Sequence, residues 1–135
     1  MSVAADFDLR FVSAVLERHP EVLLGFVFGS LAQGTAGRDS DLDVAVAGRA
    51  PLNRDEKIGL IEELAAACGR PVDLLDLNAV DGMVLGQVLQ HGRLLVKRDP
   101  GLYAWIIHKA VYYDADEMPY RRRILEERRQ AWTNR

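Results

Sequence analysis

The stretch from Gly29 to Asp43 constrains this chain more than any other part of it. An apolar run, Val22 to Phe28, precedes it and reads as a buried strand. Gly29 then lets the backbone turn sharply, because it has no Cβ to clash. Ser30 is a good helix N-cap, and the exposed amides of a helix start beside a hydroxyl suit a phosphate. A second strand is predicted over Asp41 to Val46. Strand side chains alternate, so Asp41 and Asp43 share one face while Leu42, Val44 and Val46 share the other. Two carboxylates side by side repel unless a cation lies between them. The pattern therefore predicts a phosphate cradle facing a divalent metal site.

The rest of the chain alternates helix and strand. Asp8 to His19 predicts an amphipathic helix with Leu9, Val12, Val15 and Leu16 inward, stopped by Pro20. Residues 48–53 read as a turn. A helix starting at Arg54 or Asp55 follows, with Ile58, Ile61, Leu64, Ala65 and Cys68 as its buried stripe and Gly69 placed to end it. Val72 to Leu77 predicts strand three, and Asp81 to His91 a helix that turns Val84, Leu85, Val88 and Leu89 inward. Arg93 to Lys97 predicts strand four, and Asp99 or Pro100 starts a helix running to about Asp114. Pro119 breaks it, and Tyr120 to about Trp132 reads as a last helix. One domain is expected, with a core over about 8–97 and a helical segment over about 99–133.

Composition narrows the setting. With 49% hydrophobic and 27% charged residues among 135, the chain has the make-up of a soluble globular protein. A formal net charge of −3 gives no general electrostatic case for direct nucleic-acid binding. No apolar run approaches membrane-spanning length, so no membrane association is expected. The lone Cys68 excludes an internal disulfide, fits a reducing cytoplasm, and reads as a small core residue. Residues 1–8 show neither the basic nor the apolar region of a signal peptide, again favouring a cytoplasmic location. The three histidines show no ligand spacing.

Gly-Ser, a Gly34/Gly37 loop and then Ser40-Asp41-x-Asp43 resemble the signature of the polymerase β-like nucleotidyltransferase superfamily, in the wording of its minimal (MNT) branch. The resemblance spans roughly Leu9 to Val96. It implies an α/β (α+β) fold, a small mixed sheet of about four strands with helices packed on it. It also implies a transfer of AMP from ATP, with two magnesium ions held by Asp41, Asp43 and a third acid. Gly29, Ser30, Arg38 and Ser40 would contact the nucleotide. Arg38 is the least determined of these, since arginine binds phosphate oxygens in pairs but is commonly a solvated loop residue. Without Gly29-Ser30 upstream, Asp39-Ser40-Asp41 could be loop residues capping one another.

Strand three offers two candidates for the third acid, Asp73 and Asp76, and their odd spacing puts them on opposite faces. Asp73 lies inside the strand, where an unpartnered carboxylate is costly, whereas Asp76 lies near the end, where capping is easy. Asp73 is chosen as the catalytic and metal-binding residue, with Asp76 as the weaker candidate, and the resemblance agrees.

The resemblance also implies an acceptor: a tyrosine of a HEPN-domain ribonuclease toxin, with this chain as its antitoxin. The alternatives are a small-molecule transferase that completes its acceptor site as a homodimer, and a non-catalytic antitoxin that works by covering its toxin. The apolar segment from Tyr103 to Tyr113 is expected to be partly interface. Arg121, Arg122, Arg123, Arg128 and Arg129 alternate with Glu126 and Glu127 and read as a solvated, ion-paired helix face.

Overall fold

The computed structural model describes residues 3–29 and 41–115, with side chains described from Leu9. The element order is α1 (Val3–Glu17), β1 (Leu24–Phe28), β2 (Leu42–Ala47), α2 (Arg54–Cys68), β3 (Val72–Asp76), α3 (Gly82–His91), β4 (Arg93–Lys97) and α4 (Pro100–Ala115). The four strands form one mixed sheet in the order β3-β2-β1-β4. β1 runs antiparallel to both β2 and β4, and β2 runs parallel to β3. This is the α/β architecture expected. The predicted last helix, Tyr120 to about Trp132, lies outside the described residues.

Each strand face has its own helix pair. Leu42, Val44 and Val46 join Val27, Leu74 and Val96 against Leu9, Val12, Val15 and Leu16 of α1 and Leu60 and Leu64 of α2. On the other face Leu24, Phe26, Phe28, Ala45 and Ala47 pack with Leu85 and Val88 of α3 and Ile106 and Ala110 of α4. All five residues of β1 are buried, because it is central and covered on both sides. Full burial of a side chain such as Leu16 or Phe26 contributes about 1.5–3 kcal/mol.

The caps explain most boundaries. Asn53 and Glu56 form a reciprocal capping box at the start of α2, with Glu56 N–H donating to Asn53 Oδ1 at 2.8 Å and Asn53 N–H to Glu56 Oε1 at 2.9 Å. Gly69, at φ 65°, ends the helix in the left-handed conformation expected of it. Asp81 is the N-cap of α3, accepting from Val84 N–H, rather than its first helical residue.

Some expectations are corrected. α1 starts at Val3, not Asp8, since Ala4 and Ala5 are strong helix formers. It ends at Glu17, because Arg18 and His19 N–H turn back to Val15 and Leu16 carbonyls in a tighter turn. The Arg98 guanidinium then donates to the carbonyls of Glu17, His19 and Val22, satisfying that end. β1 starts at Leu24, since Val22 belongs to the turn, donating to His19 C=O. On α2, Leu60 and Leu64 are the fully buried positions, while Ile58 is 42% exposed.

Just past α1, His19 joins Glu63 and Glu21. Its Nε2 lies 2.6 Å from Glu63 Oε2 and its Nδ1 3.1 Å from Glu21 Oε1, while Arg18 Nε donates to Glu63 Oε1 at 3.0 Å. Burial pulls the His19 pKa down, but hydrogen bonds and charge from Glu63 and Glu21 outweigh it, so the net shift is upward from 6.5. Glu63 is held below its ordinary 4.5, first by the Arg18 hydrogen bond and then by that of His19. The raised histidine stabilises the fold fully below 6.5 and loses that contribution as pH rises through its folded value. The lowered glutamate stabilises fully above 4.5 and loses it as pH falls. Both contributions are therefore complete between about 4.5 and 6.5. These groups are partly solvated, so the expected size is under about 1 kcal/mol. Urea unfolding at pH 5.5 and 8 is expected to show a smaller loss of stability in His19→Gln than in the wild type. Identical pH dependence in the two would show that the cluster is not thermodynamically linked to folding.

Candidate functional site

The site is built where β1 ends and β2 begins. Phe28, the last residue of β1, faces Asp43 of β2, and Asp43 in turn faces Asp73 of β3. Register partners on neighbouring strands project to the same side. The row Phe28–Asp43–Asp73 therefore lies on the α3–α4 face of the sheet, where Ala45 and Ala47 also point. Asp41 comes two residues before Asp43, exposed just ahead of β2, and strand alternation gives it the same side. Asp43 and Asp73 are half-buried. The three acids chosen from the sequence thus share one face at one end of the sheet.

Gly29 fits this row for two reasons. Its φ is 73°, a left-handed conformation that costs other residues about 1–2 kcal/mol. A Cβ on Gly29 would also sit 2.4 Å from Asp43 Oδ2, so the backbone bend presses directly on the carboxylate. Ser30, Arg38 and Ser40, together with Gln33, Gly34 and Gly37, lie outside the described residues. Phe28 was not singled out from the sequence: the apolar run contains it, but only the pairing register picks out the residue beside Asp43.

Among the described residues, no three histidine, cysteine, aspartate or glutamate side chains are gathered into a metal-holding cluster. The backbone register does, however, align Asp43 with Asp73 on one face. The donor set is nevertheless of the right chemistry, since oxygen-only carboxylate ligands suit hard divalent cations such as magnesium.

Asp76 has a different occupation. It is only 8% exposed, the buried charged residue among those described. Its Oδ2 accepts from Leu52 N–H at 2.7 Å and its Oδ1 from Asn78 N–H at 2.9 Å. Asn78 in turn exchanges hydrogen bonds with the Gly48 backbone. Asp76 therefore ties the turn after β3 to the connection after β2, at the opposite end of the strands from Asp43. The easy capping expected at the strand end is present, but in a buried rather than a solvated form.

Asp76→Ala is expected to destabilise the protein by about 2–4 kcal/mol, read by chemical denaturation, because two part-buried amides lose their acceptor. Gly29→Ala is expected to cost at least about 1–2 kcal/mol by the same measurement, from its left-handed φ and its approach to Asp43 Oδ2. Wild-type stability in Asp76→Ala would show that those amides find other partners.

Comparison with known proteins bears on the family and the fold. Residues 12–101 match the family described as polymerase beta, nucleotidyltransferase. The protein adenylyltransferase MntA of Shewanella oneidensis is 32% identical over 97 residues, which is 70% of each chain. A crystal structure of a toxin–antitoxin with AMP-PNP superposes at TM-score 0.70 and 27% identity, covering 93% of this chain and 95% of that one. A structure described as a putative minimal nucleotidyltransferase superposes at TM-score 0.53 and 30% identity, over 63% of this chain and 86% of the other. With a glycine bend set against a row of strand carboxylates, and with two thirds of its length matching the family, the chain belongs to the polymerase beta nucleotidyltransferases.

Proposed function

We propose that this protein transfers AMP from ATP to a tyrosine of a HEPN-domain toxin and thereby acts as its antitoxin. The observation that carries the reading is the Phe28–Asp43–Asp73 register row with Gly29 pressed against Asp43. The likeness to an adenylyltransferase and to an antitoxin solved with an ATP analogue supports the choice of nucleotide and of a protein acceptor.

In this reading Asp41, Asp43 and Asp73 would hold two magnesium ions, which would supply charge neutralisation on the triphosphate and on the acceptor oxygen. Gly29 leaves room for phosphate oxygens to approach the backbone, and Ser30 and Ser40 donate hydroxyl hydrogen bonds to them. Arg38 adds a charge-assisted pair of donors. Asp73 takes up the acceptor hydroxyl proton and passes it to solvent. The acceptor oxygen forms a bond to the α-phosphorus, the bond from that phosphorus to the α–β bridging oxygen breaks, and pyrophosphate leaves. Positioning and charge neutralisation lower the barrier, with no covalent enzyme intermediate.

The test is incubation with ATP, magnesium and a HEPN-domain toxin, sought first in the adjacent reading frame. The toxin should gain one or more AMP units by mass spectrometry, mapped to tyrosine, and lose ribonuclease activity. Chelation with EDTA should stop the gain. Asp43→Asn should lower the rate by about 10³-fold or more while keeping the fold. A stably bound but unmodified toxin would favour an antitoxin that acts by covering. Modification of a small hydroxylated compound instead would favour a dimeric small-molecule transferase.

A further inference from the structure

At the end of the sheet away from Asp43 and Asp73, four segments of chain meet around a cleft of about 210 Å³. The entry to β1, the exits of β2 and β3 and the first half of α4 each supply part of its wall. Hydrogen bonds pin these segments together. Leu23 N–H donates to Ala47 C=O at 2.9 Å, Leu77 N–H to Val46 C=O at 2.8 Å and Arg98 N–H to Leu23 C=O at 2.8 Å. Asn78 accepts from Gly48 N–H and donates to Gly48 C=O. Asp99 Oδ1 accepts from Leu102 N–H at the start of α4. The cleft is therefore formed in advance, and filling it requires little ordering of the backbone.

Its floor and rim differ in chemistry. Leu77, Leu85 and Ile106 make an apolar floor, each at most 4% exposed. The rim consists of Arg49, Lys109 and the Trp105 indole, all exposed. Trp105 stacks on His108 with centroids 5.7 Å apart, which holds its ring in one orientation. Arg49 and Lys109 have no ion pair among the described residues. The amide of Asn78 is already bonded to Gly48, and the carboxylate in the lining, Asp99, is bonded to the helix start. Two cations against that one carboxylate leave the cleft an excess of positive charge. An apolar floor, a flat aromatic wall and a cationic rim suit a molecule with one acidic group on a flat apolar body. The volume lies below the roughly 300–1,000 Å³ of drug-sized sites, so that body must be compact.

We infer that this cleft is a second ligand site, for a small carboxylic acid with a flat apolar body. The carboxylate lies between Arg49 and Lys109, and the body lies against Trp105 above the apolar floor. The cleft and the Asp43–Asp73 row sit at opposite ends of β2 and β3, so the inference stands independently of the transferase reading.

The experiment titrates the full-length protein with benzoate, and with benzamide as a neutral molecule of the same shape, by calorimetry. Benzoate is expected to bind with a millimolar or lower dissociation constant, and benzamide at least about tenfold more weakly. Arg49→Gln and Lys109→Gln should each weaken benzoate several-fold and leave benzamide unchanged, and added salt should act in the same direction on the wild type. Trp105→Ala should weaken both probes. All three side chains are exposed, so the circular dichroism spectrum should not change. Saturating AMP-PNP should leave benzoate binding intact. No binding of benzoate at millimolar concentrations, equal affinity for benzamide, or full affinity in both cation variants would overturn the site. Displacement of benzoate by AMP-PNP would place the acid in the nucleotide site and overturn the inference as well.

Discussion

Every residue of β2 is committed to one of two faces, and the rest of the molecule follows from that alternation. Leu42, Val44 and Val46 go into the core beneath α1 and α2, while Asp43, Ala45 and Ala47 face α3 and α4. A one-residue slip would bury the carboxylate among leucines and valines and expose the valines to water. Burying an unpaired charge costs several kcal/mol, and so does exposing a set of core side chains. The register is therefore fixed by hydrophobic packing. The same register places Asp43 beside Asp73 and beneath Gly29. The core energetics and the site geometry are set by one choice.

The two acids of β3 occupy opposite ends of the strand and different surroundings. Asp73 stands opposite Asp43, half-buried on the face that also carries Phe28. Asp76, three residues on, is more deeply buried than Asp73, yet both of its oxygens are occupied by backbone amides. Burial of a charge is tolerable once its hydrogen bonds are made. Depth alone therefore does not tell what a strand acid does.

α4 carries a different imbalance. Its apolar surface exceeds what one sheet face can cover, because α3 already occupies part of that face through Leu85 and Val88. The surplus lies outside as a stacked aromatic stripe. A small sheet leaves little room for an acceptor-binding domain among the described residues.

Much of this was legible in the sequence. Element types and order follow from periodicity and caps: β4 has the predicted bounds Arg93–Lys97, and Gly69 ends α2 as its place requires. The resemblance carried by Gly29-Ser30 and Asp41-x-Asp43 led to the family that residues 12–101 match. Strand alternation alone put Asp41 and Asp43 on one side. Local rules reach these features because each depends on residues a few positions apart. Other features depend on groups far apart in the chain. α2 carries two overlapping apolar stripes, and only the position of the sheet decided that Leu60, not Ile58, goes inside. Arg98 closes the end of α1 from about eighty residues away, and Asp76 finds its amide at Leu52. The sequence by itself determined the alternation, the caps and the acidic motif, since these are properties of neighbours along the backbone. Tertiary structure decided which faces meet, which acid is satisfied and which side of α4 is left bare, since those depend on competition among distant surfaces for the same limited sheet.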